Sequence, residues 1–320
     1  MPVSVSSLKV NTEEKAMSTV MLGTEVAKTM KEELIRDVEL LKGKGIHPCL
    51  AIIRVGARGD DLAYERSAKK RMEMVGIDCK VVELPKTISQ ENFERAFAEV
   101  NDDPKVDGIL LFRPLPEGLD EEPVKLMIHP EKDVDCMSPF NSARVFLGET
   151  EGHAPCTAQA VMEMLRHFHI DLTGKKVTIV GRSMVVGKPL AMMMLKDHAT
   201  ITVCHTRTKD LKEECRNADI VVACAGKAKF ITADMIKEGA VVVDVGINID
   251  ENGNMCGDVD YEKVKEKASY ISPVPKGVGS VTTSGLASHV IKSAKNRKKR
   301  KTDGMGEKKL YAFCCCNSSK

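Results

Sequence analysis

The chain has no tryptophan, and aromatic residues fill only 4% of its 320 positions. That scarcity leaves little for stacking nucleobases. An excess of one charge is also missing. The 48 Lys and Arg stand against 46 Asp and Glu, and a net charge of +2 gives no field that would hold nucleic acid. No apolar run is long enough to cross a bilayer. Met1–Lys15 lacks the apolar core of a secretory signal. The 11 cysteines include no Cys-x-x-Cys pair, and Cys49, Cys204 and Cys224 sit within apolar runs. This fits reduced thiols in a cytoplasmic protein and argues against a bound metal. What is left is a chain long enough for two domains with cores of their own, with neither a membrane nor a nucleic acid as partner.

What is present is concentrated in one stretch, Thr178-Ile-Val-Gly-Arg-Ser-Met-Val-Val-Gly-Lys-Pro-Leu190. The apolar run Val177–Val180 is cut by Gly181, and Gly187 opens a helix-like segment through Leu190, Met193 and Leu195. This reads as strand, tight turn and helix start. Gly181 permits the turn, Gly187 lets helix and strand approach, and the helix N-terminus offers N–H groups to a phosphate. The spacing departs from G-x-G-x-x-G, because Ser183 stands where the second glycine would be.

The next strand, Thr200–Cys204, ends in His205-Thr206-Arg207-Thr208. A site for NAD usually carries an acid there to bind the ribose hydroxyls. This strand end has none. Thr206 and Arg207, with Arg182 in the first turn, suit a 2′-phosphate, so NADP is favoured over NAD. Further strands at Ile220–Cys224 and Ala240–Val245 alternate with helical segments. They predict an α/β domain with a parallel sheet of the Rossmann type.

The first half repeats the rhythm without the glycine pattern. Helices are expected at Glu25–Leu41, Asp60–Val75 and Gln90–Val100, and strands at Cys49–Val55, Lys80–Leu84 and Gly108–Phe112. The fold class is therefore α/β with two parallel-sheet domains and a cleft between them. The expected boundaries are a frayed segment 1–17, a first domain of 18–150 plus 283–295, a dinucleotide domain of 151–282, and a disordered tail of 296–320. That tail holds Arg297–Lys301 and Cys314-Cys315-Cys316.

From about Val20 to Ile291 the chain resembles the methylenetetrahydrofolate dehydrogenase/cyclohydrolase family. The resemblance rests on Val55-Gly56 through Tyr64 to Gly76-Ile77, Pro114-Leu115-Pro116, Lys132-Asp133-Val134-Asp135, Pro155-Cys156-Thr157, Val180–Ser183 with Val186-Gly187, Cys204-His205, Val243–Asn248 and Pro273–Gly279. Each segment is short; their joint order and spacing make them specific. The resemblance implies a folate-binding first domain, a terminal helix near Thr283–Ser293 returning to it, and a homodimer. It implies that Tyr64 packs along the pterin and aminobenzoate, that Asp135 anchors the pterin, and that Pro275, Lys276, Gly277, Val278 and Gly279 lie over the folate. Leu111, Phe112 and Arg113 flank the same site. Gly181, Arg182, Ser183, Gly187, Thr206, Arg207 and Ile247 fall to the cofactor.

The departures bear on the chemistry. Bifunctional members carry Tyr-x-x-x-Lys, and that lysine is central to hydrolysis. Here the position is Ala68, with Phe112 in place of the glutamine that contacts the lysine. Lys69 and Lys70 are rotated about 100° and 200° from Ala68 on a helix. Lys276 replaces a glycine, Ala158 a proline, and Ser280-Val281 a Pro-Met pair. The leading expectation is an NADP-linked methylenetetrahydrofolate dehydrogenase without cyclohydrolase activity. One alternative is a bifunctional enzyme that recruits Lys69 or Lys70; another is a non-catalytic folate- or nucleotide-binding protein. His205 and Cys156 read as structural rather than catalytic.

Overall fold

A computed structural model describes residues 18–297. The chain opens with β1 (Thr19–Val20) and α1 (Gly23–Lys42), then β2 (Cys49–Val55), α2 (Gly59–Val75), β3 (Asp78–Leu84), α3 (Gln90–Asp102) and β4 (Gly108–Leu111). Two short helices follow, α4 (Glu122–Met127) and α5 (Pro139–Leu147), before α6 (Cys156–His167) leads into the second unit. That unit runs β5 (Lys176–Val180), α7 (Gly187–Lys196), β6 (Thr200–Cys204), α8 (Leu211–Arg216), β7 (Ile220–Ala223) and β8 (Val241–Asp244). A hairpin, β9 (Asn248–Ile249) and β10 (Met255–Cys256), precedes α9 (Tyr261–Lys265), β11 (Tyr270–Ile271) and α10 (Gly279–Lys295).

Strand β2 shows why the first sheet is buried on both faces. Its residues alternate between two cores. Leu50 and Ile52 point toward α1, α2 and α10, where they meet Leu34, Met72, Leu286 and Val290. Ala51 and Ile53 point the other way, to Phe93 and Phe97 of α3 and Val124 of α4. The parallel order is β3-β2-β4. The second sheet has six strands in the order β1-β11-β8-β7-β5-β6. Its central strands are as two-sided as their β-branched runs require: Val177 and Ile179 face one core, Val180 and Val221 the other.

Three boundaries differ from the sequence reading. Residues 19–20, expected in the first domain, pair with Tyr270–Ile271 at the edge of the second sheet. Two residues carry too little pattern for any periodicity to place them. The terminal helix starts at Gly279, four residues earlier than expected, because the glycine-rich loop runs directly into it. Asn296 and Arg297 do not begin a disordered tail. The Arg297 Nε donates to Asp107 Oδ1 at 2.9 Å, and its Nη2 to the His47 carbonyl at 2.8 Å. The N-terminal segment 1–17 and the tail from residue 298, with Cys314–Cys316, lie outside the described residues. Among the described residues no helix is long and apolar enough to cross a membrane.

Candidate active site

The dinucleotide turn is built by exclusion of side chains. Gly181 has a φ of +140°, and a Cβ there would overlap the Cys224 carbonyl and thiol. A Cβ on Gly187 would overlap the Gly181 carbonyl, so the N-terminus of α7 lies directly on the turn. The Ser183 hydroxyl accepts from Val186 N–H at 3.1 Å and closes the loop where a second glycine is common. Arg182, Ser183, Met184 and Val185 are exposed at its rim. The two glycines thus let the turn close on Cys224 and the start of α7 close on the turn, which leaves the N–H groups of that helix start to fit a diphosphate.

At the end of β6, His205 acts as a turn-former. Its N–H donates to Thr208 Oγ1 at 2.9 Å, and its Nδ1 accepts from Arg207 N–H at 3.1 Å. Thr206 and Arg207 are left exposed beside that strand end. Two buried carboxylates missed in the sequence reading organise the neighbouring loops. Asp258 accepts from the N–H groups of Ala225, Gly226 and Lys227 at 2.6–2.9 Å and from Asn248 Nδ2 at 2.9 Å. Asp244 accepts from Gly246, Asp258 and Val259 N–H at 2.9–3.0 Å. Burial pushes the Asp244 carboxyl up to about 6 despite those donors. The signal in the sequence is the pair Gly246 and Gly257, at which a Cβ would strike Asp258 and Asp244 respectively. Ile247, held between these anchors, is exposed.

The motif Lys132-Asp133-Val134-Asp135 separates into scaffold and site. Lys132 Nζ donates to the carbonyls of Asn101 and Asp103 at 2.5 and 2.7 Å. Asp133 is fully buried and accepts from Met137 N–H, Ser138 N–H and Oγ, and Asn141 Nδ2 at 2.7–3.0 Å. These bonds fix the turn that presents Asp135, half-buried, to a cavity of about 780 Å³. Asp135 Oδ1 accepts from Cys156 N–H at 2.9 Å. Burial raises its pKa, with Cys156 and the more distant Arg113 guanidinium pulling the other way. Tyr64 lines the same cavity, its ring 5.7 Å from that of Phe112. Leu111, Phe112 and Arg113 form one wall, and Val185 of the dinucleotide loop reaches in from the second domain. Arg58, locked onto Asp61 through two bonds of 2.8 Å, was not singled out in the sequence.

Ala68 is fully buried and packs in the core that holds Phe112, Met72 and Leu286. Lys69 and Lys70 are exposed and do not border the cavity; Lys69 lies 3.9 Å from Glu65 instead. Helix geometry sets this, since Lys69 is turned about 100° from the buried Ala68 and stands one turn after Glu65.

The loop 273–279 is pinned from both ends. Gly23 N–H donates to the Lys276 carbonyl at 2.8 Å, and a Cβ on Gly277 would overlap the Pro273 carbonyl. Lys276 itself sits at a φ of +76°, the left-handed region its glycine counterpart in the family would adopt without cost.

Behind Asp135, His289 of α10 is buried, and its Nδ1–H donates to the Val134 carbonyl at 2.8 Å with the Cys156 thiol at 3.7 Å. Burial lowers its pKa to about 4, and Lys292 adds to the effect. A base depressed below its unfolded value near 6.5 contributes stability that is complete above that pH and is lost as pH falls through 4. The full linkage is about 3 kcal/mol. We expect urea midpoints of wild type and His289→Asn, which keeps the donor, to diverge between pH 7 and pH 4.5, the wild type losing more. A constant difference across that range refutes the assignment.

Comparison with known proteins adds the following. A family model described as the tetrahydrofolate dehydrogenase/cyclohydrolase catalytic domain matches residues 21–135, and one for the NAD(P)-binding domain matches residues 155–298. A protein of Alkaliphilus oremlandii named bifunctional protein FolD is 55% identical over 279 residues, covering 87% of this chain and 98% of the relative. A solved structure of the bifunctional FolD methylenetetrahydrofolate dehydrogenase/cyclohydrolase from Campylobacter jejuni superposes with a TM-score of 0.86 at 42% identity, over 88% of this chain and 99% of that one. The Trypanosoma brucei dehydrogenase-cyclohydrolase, solved with NADP cofactor and an inhibitor, gives 0.83 at 36% identity, over 88% and 98%.

Proposed function

Because the chain belongs to the tetrahydrofolate dehydrogenase/cyclohydrolase family, we propose that it oxidises 5,10-methylenetetrahydrofolate with NADP and also hydrolyses the 5,10-methenyl product. The observation that carries the reading is one cavity in which Tyr64, Asp135 and Val185 meet, so that a folate and the dinucleotide turn face each other. An enzyme without the hydrolytic activity, the leading expectation from the sequence, agrees less well with relatives named as bifunctional. A homodimer in the cytoplasm completes the reading.

The substrate carbon lies between two nitrogens whose lone pairs stabilise the cation left when hydride departs. This step asks the protein for position rather than for an acid or base. Tyr64 supplies a ring face along the folate, and Asp135 accepts from the pterin's amino and ring N–H groups. The loop Pro275–Gly279 closes over the folate. Gly181 and Gly187 let the turn and the start of α7 close up so that the helix N–H groups receive the diphosphate of NADP, with Arg182, Thr206 and Arg207 at its 2′-phosphate and Ile247 beside it. Bound NADP supplies the hydride acceptor. Hydrolysis of the product needs an oriented water. With Ala68 silent, Tyr64, Asp135 and Arg113 are polar groups placed to hold one, and we expect that step to be slow beside hydride transfer.

A dehydrogenase-only reading keeps one specific support, the burial of Ala68 beside Phe112. An absorbance assay separates the two. Purified protein should form methenyltetrahydrofolate and then clear it above the buffer rate. Formation without clearance would leave the dehydrogenase alone, and no formation would sink both. For the cofactor, Arg182→Ala should weaken NADP about tenfold or more and NAD little, since a charge-assisted bond contributes about 1.5–3 kcal/mol. Equal weakening of both cofactors would remove Arg182 from the 2′-phosphate.

A further inference from the structure

Helix α2 carries an acid on its buried face that packing alone does not call for. Its buried residues are Asp61, Glu65, Ala68, Met72 and Val75, at the spacing of an inward-facing stripe. Two of the five are carboxylates. Glu65 is matched by the buried Arg54, whose Nε donates to it at 2.7 Å. Asp61 is held from the surface instead. Its two oxygens accept from Nε and Nη2 of Arg58 at 2.8 Å each, and the Arg58 side chain is 47% exposed. The helix dipole favours an acid in the first turn, but an exposed one such as Asp60 satisfies it equally well.

Asp61 lines the cavity in which Tyr64, Asp135 and Val185 meet. It stands three residues before Tyr64, so the two share a face of α2 with Cβ atoms about 5–6 Å apart. The other carboxylates that line this cavity are engaged or exposed. Asp135 accepts from Cys156 N–H and is assigned to the pterin. Glu121 pairs with Lys125 and, at 3.9 Å, with Arg113. Asp120 accepts from Glu122 N–H, and Asp60 is exposed. Arg58 also fixes the direction of Asp61, since its Nη2 donates to the Arg113 carbonyl at 3.4 Å and so ties the start of α2 to the opposite cavity wall. A carboxylate has about four acceptor sites and Arg58 takes two, which leaves one on each oxygen for water.

We propose that Asp61 is the base of the hydrolytic step, taking the proton of the attacking water, and that Arg58 is its positioning residue. The inference rests on the bifunctional reading above and names the group that reading needs. Ala68, two turns further along the same stripe, has no proton acceptor. Burial raises the pKa of Tyr64 well above its usual value, so its hydroxyl keeps its proton. The guanidinium of Arg113 offers only donors. In the first step the water oxygen bonds to the methenyl carbon, one water proton passes to Asp61, and the C=N electron pair passes to nitrogen. In the second a C–N bond of the adduct breaks, its electron pair stays on the departing nitrogen, and that nitrogen takes the proton back from Asp61. The hydroxyl proton leaves to solvent and its oxygen becomes the formyl carbonyl. The cation and one water thus give a neutral formyl product and one released proton, and Asp61 ends as a carboxylate.

The test follows formation and clearance of methenyltetrahydrofolate separately, with methylenetetrahydrofolate and NADP as substrates. In Asp61→Asn the ratio of clearance to formation should fall by about 10²-fold, the lower end of what a positioned base contributes. Asn keeps the size and still accepts from Arg58 through its one oxygen, but it takes up no proton. In Asp61→Ala the ratio should fall as far, and added acetate should restore clearance in proportion to its concentration, while chloride at the same ionic strength should not. Arg58→Gln should give an intermediate ratio. A ratio preserved in Asp61→Asn overturns the role. So does a low ratio in Asp61→Ala that acetate leaves unchanged, which marks a structural loss. The isosteric Asp61→Asn serves if the alanine variant does not fold. Wild type that forms the methenyl product and clears it no faster than buffer removes the hydrolytic reading and this inference with it. Absence of formation removes the folate reading as well.

Discussion

Replacing Asp135 by Asn should lower kcat/KM for methylenetetrahydrofolate by about 10- to 100-fold, while NADP binding to the free protein stays as it was. The estimate corresponds to one charged hydrogen-bonding group, about 1.5–3 kcal/mol, at about 1.4 kcal/mol per decade. Asn keeps the size and can still accept from Cys156 N–H through its single oxygen. Its amide then turns donors toward the pterin's own donors, where the carboxylate offered only acceptors. The raised pKa of Asp135 adds a signature. Folate affinity of the wild type should fall on acidification at a pH above that of an ordinary aspartate, and the variant should lack that limb. Initial-rate kinetics between pH 5 and 8 decide the matter; unchanged folate kinetics would return Asp135 to the rank of a turn carboxylate.

The second large effect is a gain. Ala68→Lys with Phe112→Gln should raise methenyltetrahydrofolate hydrolysis by about 10²-fold or more, the lower end of what a positioned acid–base group contributes. The two changes are needed together. Ala68 and Phe112 share one fully packed cluster. A lysine introduced there alone would bury an amine among Phe112, Met72 and Leu286, and should cost stability rather than add rate. Glutamine at 112 supplies the partner, and it leaves the backbone bond from Phe112 N–H to the Ile53 carbonyl at 2.9 Å untouched. Both single variants and the double should therefore be compared as a cycle, by decay of methenyl absorbance and by thermal melting. A double variant that folds and hydrolyses no faster than wild type would show that Lys at 68 is not the missing piece.

The chain's own order of residues went far. Strands β2, β5 and β6 fall within a residue of where apolar runs end at glycine or polar turns, because a strand buried on both faces must be apolar throughout. Gly181 and Gly187 were legible for a related reason: backbone approach excludes a Cβ, and only one residue type satisfies that. Asp135 was legible through its motif, and Ala68 through its spacing from Tyr64. The sequence by itself therefore determined the two-domain α/β class and the strand, tight turn and helix start at Gly181–Gly187, and it named Tyr64, Phe112 and Asp135, which line one cavity.

Tertiary structure decided what depends on residues far apart in the chain. Nothing local marks Asp258 as the clasp of residues 225–227, or His289 as the support behind Asp135, since each meets its partners only after the sheets have formed. Helical spacing turned Lys69 away from the Ala68 position; that its amine ends 3.9 Å from Glu65 needed the folded α2. The same holds for Lys28, Lys31 and Arg71. They stand on two separate helices, and only the packing of α1, α2 and α10 makes them walls of one pocket. Hydrophobic periodicity and glycine sterics act over a few residues and are written in order along the chain; convergence of charge is a property of the assembled surfaces.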